Sequence, residues 1–107
     1  VKKLIAILAA TLILIAGCAS IDTPTKKLTT AKVTYASIVQ GGVAAYNAGD
    51  ISADDFVNRW EPIRAVAWAG IESADRAIKT DDPDVGFYVS EALRLVNKLQ
   101  TLYEAFK

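Results

Sequence analysis

The sequence predicts an all-α protein, an up-down-up three-helix bundle that follows a cleaved N-terminal signal peptide, and three observations predict it. Past residue 25 the apolar positions recur at alternating spacings of three and four over three long stretches, the period of helices that each bury one face. Two short polar breaks, Asn47-Ala48-Gly49-Asp50 and Asp81-Asp82-Pro83-Asp84, separate those stretches. Ahead of them Lys2 and Lys3 precede an apolar run, Leu4 to Ala16, that ends in small residues. Those are the basic, apolar and cleavage-site parts of a secretory signal.

The apolar run is about 13 residues long, short of the roughly 20 that a membrane span needs. It closes on Ile15-Ala16-Gly17-Cys18, which holds the only cysteine in the chain. These four residues resemble the lipobox of bacterial lipoproteins, in which an aliphatic residue, a small residue and Gly or Ala precede Cys. The resemblance covers the first 18 residues only. It implies that the Cys18 thiol receives a diacylglyceryl group, that cleavage falls between Gly17 and Cys18, and that Cys18 becomes the first residue of the mature protein. Ala19 stands where an Asp would retain a lipoprotein at the inner membrane. In a Gram-negative source the resemblance therefore implies the outer membrane, facing the periplasm. Each buried methylene contributes about 0.8 kcal/mol, so one acyl chain attaches reversibly, whereas two or three together hold durably.

Loss of residues 1–17 from the 107 leaves a single domain with room for a modest core. The chain has 12 bases and 12 acids. Cleavage removes Lys2 and Lys3, so the mature side chains balance at −2, ten bases against twelve acids. Such a surface has no basic patch to track a nucleic-acid backbone. Nor would it grip anionic headgroups without the lipid.

Residues 18–25 read as the lipidated cysteine and a short tether, because Ala19 to Thr25 are small, polar and proline-bearing. At no more than about 3.5 Å per residue the tether keeps the folded body within roughly 25 Å of the lipid. The body spans 26–107, with helices at about 26–48, 53–79 and 83–106. In the first, Leu28, Ala31, Tyr35, Ile38, Gly42 and Ala45 form the buried stripe, widened by Val39 and Tyr46. Gly41-Gly42 inside that helix costs about 1 kcal/mol per glycine relative to alanine. Gly42 lies on the stripe, so a close crossing is expected there in preference to a hinge. Gly49 suits the left-handed position after a helix end.

The second helix starts at a well-marked boundary, with Ser52 as N-cap, Asp54 and Asp55 in the first turn, and Ile51 and Phe56 at the spacing of a hydrophobic staple. Phe56, Trp60, Ile63, Ala67, Gly70, Ala74 and Ala77 carry its stripe, with Ile71 and Ile78 beside them. Three acid-base pairs, Asp55 with Arg59, Glu72 with Arg76 and Asp75 with Lys79, mark a solvated face. Pro62 removes a hydrogen bond and clashes with the preceding turn, so a kink or a break is expected. Asp82 is the expected cap of the third helix, and Pro83 fits its first position. Val85, Val89, Ala92, Val96, Leu99, Tyr103 and Phe106 make one seam of that helix; Tyr88, Leu95 and Leu102 make a second. A face this wide contacts both other helices, and short connections force the order up, down and up.

The residue inventory speaks against an enzyme. There is no histidine, the one cysteine is assigned to lipid, and no phosphate loop or metal-ligand spacing occurs. Asp81, Asp82 and Asp84 lack the twelve-residue pattern of a calcium loop and its closing Glu, and capping accounts for them. No cofactor, metal or small-molecule substrate is implied. Candidate binding residues are the aromatics off the main stripes, Trp68 and Phe87, with Arg64 within one turn of Trp68 as polar companion. The expectation is a lipid-anchored envelope protein that binds another envelope protein or supports envelope organisation. An alternative rests on Tyr46-Asn47-Ala48-Gly49-Asp50-Ile51-Ser52 and the aromatic-bearing helix after it. This run is similar to small helical proteins of phage and prophage lysis regions, which implies a membrane accessory acting in lysis or superinfection exclusion.

Overall fold

A computed structural model describes residues 23–106. The expected signal peptide, its Gly17-Cys18 cleavage site and the tether as far as Asp22 lie outside the described residues. Three helices make up the body. Helix α1 is Pro24–Asn47. Helix α2 is one rod in three parts, an α turn at Ala53–Asp55, a π turn at Phe56–Trp60 and a long α stretch at Glu61–Lys79. Helix α3 is Val85–Ala105.

The direction of each helix follows from which residues meet. Lys32 pairs with Asp75, and the Tyr46 ring lies 4.4 Å from that of Phe56, so α1 and α2 run antiparallel. Gly41 of α1 faces Tyr103 of α3, and Gly70 of α2 faces Leu95, so α3 runs parallel to α1 and antiparallel to α2. The bundle is therefore up-down-up. Leu28, Ala31, Tyr35 and Ile38 from α1, Trp60, Ala67, Ile71 and Ala74 from α2, and Val89, Ala92, Val96 and Leu99 from α3 form a single core.

Helix boundaries follow local chemistry. Helix α1 begins two residues earlier than its stripe predicts, because the Thr23 hydroxyl accepts from the Lys26 N–H at 3.3 Å and Pro24 occupies the first turn. The stretch expected as tether therefore gives up Pro24 and Thr25 to the helix. At its other end the Gly49 N–H donates to Tyr46 O at 3.1 Å and the Asp50 N–H to Ala45 O at 2.8 Å, with Gly49 at φ +84°. This paired closure satisfies carbonyls that the helix end would otherwise leave bare. Ser52 caps α2 by accepting from the Asp55 N–H at 3.1 Å, and Ile51 is buried beneath that turn.

The α2–α3 turn repeats the device with a different residue. Asp81 N–H donates to Ile78 O and Asp82 N–H to Ala77 O, and Asp81 takes the left-handed position at φ +52°. Asparagine and aspartate tolerate that region better than other side chains do. The expected cap at Asp82 is displaced. Its carboxylate accepts from the Asp84 N–H at 2.8 Å inside the turn, and α3 starts at Val85 rather than at Pro83.

Pro62 neither breaks α2 nor ends it. The Glu61 N–H reaches back five residues to Phe56 O, the wider spacing of a π turn. That widening lies directly before the proline, which cannot donate and whose ring crowds the carbonyl four residues earlier. The rod continues because the helix takes up the misfit in one over-wide turn.

Candidate functional site

Helices α1 and α2 meet along a seam that carries ring, hydrogen-bond and ion-pair contacts. Its floor is set by Tyr35, whose ring lies 5.4 Å from the Trp68 indole at an interplanar angle of 34°. The Arg64 guanidinium donates from Nη1 to the Tyr35 hydroxyl at 2.9 Å, and its Nε and Nη2 hold the Glu61 carboxylate at 3.0 Å. Its hydrogen bonds to Glu61 and then to Tyr35 raise the Arg64 pKa above its ordinary value. Three of its five donors are engaged in this way, which leaves two free to meet an acceptor from outside.

Trp68 is 44 % exposed although one side of its ring is covered by Tyr35. A tryptophan left partly exposed is of the residue type most enriched among interface anchors. At one end of the seam the Asp75 carboxylate is shared by Lys79 at 2.8 Å and Lys32 at 3.1 Å. Hydrogen bonds from Lys79 and then Lys32 hold its pKa below the usual carboxylate range. The contribution of this cluster to folding is complete above that usual range and disappears as the pH falls through the lowered value. Of the three pairs expected on the solvated face, Asp55–Arg59 and Asp75–Lys79 form, at 3.6 and 2.8 Å, whereas Glu72–Arg76 is not an ion pair among the described residues.

The seam extends beyond Trp68. Val39, Val43 and Tyr46 lie four, eight and eleven residues after Tyr35, and so on the same side of α1. On α2, Val57, Glu61 and Arg64 lead to Trp68 at corresponding intervals across the π turn. Four of the seven large exposed hydrophobics, Val43, Tyr46, Val57 and Trp68, fall on these two stripes. Between Val33 and Asn47 helix α1 bears no charged residue at all.

Of the three residues expected to bind, two come together and one does not. Arg64 and Trp68 meet around Tyr35, although Arg64 is first of all a clamp on Tyr35 and only then a free donor. Phe87 is 63 % exposed in the first turn of α3, and its one ring neighbour among the described residues is Tyr88. Tyr35 and Glu61 belong to the site and were not expected there. Tyr35 reads as core in the sequence because it lies on the buried stripe; its hydroxyl emerges at the seam, 29 positions from the arginine it meets.

A second depression, of about 560 Å³, lies between the start of α2 and the end of α3, with Pro62, Ile63, Leu102 and Ala105 in its floor and Arg59 and Lys98 at its rim. Arg59 is occupied there, paired with Asp55 and stacked 5.1 Å over the Phe106 ring. Among the described residues no three His, Cys, Asp or Glu side chains are grouped to hold a metal ion, and no helix is long and apolar enough to cross a membrane. Comparisons with protein-family models, with curated proteins and with solved structures find no match for the chain.

Proposed function

We propose that this is a small, non-enzymatic protein of the bacterial envelope, held to a membrane by acylated Cys18, that binds another protein through the Trp68–Arg64 seam. The observation that supports the binding role is the half-exposed Trp68 indole, held against Tyr35 beside a partly unspent guanidinium. The residues that carry most binding energy at protein interfaces are enriched in Trp, Tyr and Arg. The address rests on the sequence alone, on the apolar run that closes at Ile15-Ala16-Gly17-Cys18. The run from Tyr46 to Ser52 is accounted for by the closure of α1 at Gly49 and the Ser52 cap, so no observation favours the phage accessory over this reading.

Two measurements test the proposal. Cells fed a radioactive fatty acid label the wild-type protein and leave Cys18→Ser unlabelled; equal labelling of both removes the anchor. Crosslinking in intact cells, followed by mass spectrometry, reports the partner. Trp68→Ala, which removes an exposed ring and spares the core, weakens the interaction by about 2 kcal/mol or roughly thirty-fold. Adducts undiminished by that change would move the binding surface elsewhere.

A further inference from the structure

We infer that the end of the bundle at which α1 begins is itself a lipid-contacting surface, with the Phe87 ring entering the interface of the membrane that holds Cys18. The inference rests on the reading of Cys18 as the lipid anchor and goes beyond it, because it gives the folded body a contact of its own with the bilayer.

Register is the first argument. Helices α1 and α3 run parallel and Gly41 faces Tyr103, so sixteen residues earlier on both of them Thr25 lies level with Phe87. On the antiparallel α2, Gly70 faces Leu95; eight residues further on, in its last turn, Ile78 lies level with Phe87 as well. Phe87 therefore belongs to the end of the bundle where Thr23 caps α1. Helical side chains lean toward the helix N-terminus. Because α3 starts at this end, its first-turn ring leans toward the end face.

Chain length is the second argument. Cys18 precedes Thr23 by five residues, a reach of at most about 18 Å. Helix α1 is about 36 Å long, so an acylated Cys18 keeps this end, and not the Val57 end, next to lipid.

The third argument is chemistry. Phe87, at 63 % exposure, is the most exposed large hydrophobic residue among those described, and its ring neighbour is Tyr88. Pro83 and Gly86 beside it are exposed and uncharged, and a Cβ built at Gly86 meets nothing within 4 Å. The charges of this end balance, Lys26, Lys27 and Lys79 against Asp81, Asp82 and Asp84. Net charge thus neither draws the end to headgroups nor repels it, and the apolar ring decides. Phenylalanine is among the side chains that interfacial segments bury about 5–10 Å deep, at the boundary of headgroups and acyl chains. With Phe87 there, the bundle stands on the membrane and the Trp68 seam is left clear of lipid.

The test uses the full-length chain, produced in a bacterial host, purified and reconstituted into phosphatidylcholine vesicles with or without lipids that bear a nitroxide high on one acyl chain. An environment-sensitive fluorophore is attached through Gly86→Cys, which keeps Phe87 in place. A second preparation carries it through Val57→Cys, where the native residue is 61 % exposed at the far end of the bundle. The wild-type chain, whose one cysteine is consumed by the anchor, is the labelling blank. Quenching from Gly86→Cys is expected to exceed that from Val57→Cys at least about three-fold. Adding Phe87→Ser, which spares the core, lowers it toward the Val57→Cys level. If the protein floats with the vesicles but the two sites are quenched alike, or Phe87→Ser changes nothing, the lipid contact is overturned and the anchor stands. If the wild-type protein does not float with the vesicles, or its Cys18 takes up the fluorophore, both readings fall.

Discussion

Gly42→Leu unfolds the protein, seen as loss of the cooperative thermal transition in circular dichroism. A Cβ built at Gly42 lies 2.6 Å from Cη2 and 2.8 Å from Cε2 of Trp60, with Cζ2 nearer still. Those atoms cannot withdraw. Trp60 is fully buried, with the rings of Phe56 at 6.3 Å and Tyr103 at 6.2 Å around it. Even Gly42→Ala overpacks the crossing, at about 1–3 kcal/mol. Better helix propensity returns about 1 kcal/mol of that at most. Leucine adds three further carbons in the same place, and a domain of this size has only about 4–13 kcal/mol of stability to lose.

The neighbouring glycine supplies the internal control. At Gly41 the added carbon meets the outer end of the half-buried Tyr103 ring, with the hydroxyl at 2.7 Å and Cζ at 2.9 Å, so Tyr103 must shift. Gly41→Ala is therefore expected to cost less in urea unfolding than Gly42→Ala, whose neighbour is fully buried. Equal tolerance at the two positions would show that the Trp60 indole does not pack on Gly42.

Trp60→Ala removes the largest fully buried side chain and is expected to cost about 3–5 kcal/mol, from lost burial plus the cavity left between α1 and α3. Trp60→Phe costs distinctly less. It keeps a ring against Gly42 and deletes the indole Nε1, which is buried with no hydrogen-bond partner among the described residues. A buried donor without a partner is a standing penalty of about 1–3 kcal/mol, and its removal offsets part of the lost volume. Urea midpoints for the two variants check this order. A phenylalanine variant as unstable as the alanine variant would mean that the indole N–H is satisfied in solution.

Those two residues also show what could be read in advance. Gly42 lies on the buried stripe of α1, so a packing reason for it in preference to a hinge was legible from spacing alone. That the room is taken by the Trp60 indole and not by a neighbouring backbone was not, because the two are 18 positions apart on antiparallel helices. Pro62 announced a disturbance in α2 without revealing its form. The disturbance takes the form of a π turn directly before the proline, with no break in the helix. In the same way Trp68 could be placed off its stripe by helical phase, whereas its stacking on Tyr35 and the link from Arg64 to the Tyr35 hydroxyl required the fold. Phe87, expected on the third helix, lies exposed in the first turn of α3 with Tyr88 as its ring neighbour among the described residues.

The amino-acid order by itself determined the number of helices, their inward faces and their ends to within two residues, because caps, left-handed residues and apolar period act over at most four or five neighbours. It also carries every reason for assigning Cys18 to lipid. Only the tertiary structure decided which side chains share the α1/α2 seam, which glycine bears a tryptophan, and how α2 passes its proline. Each of those outcomes depends on contacts between residues far apart in the chain, where close packing admits one arrangement and local preference is silent.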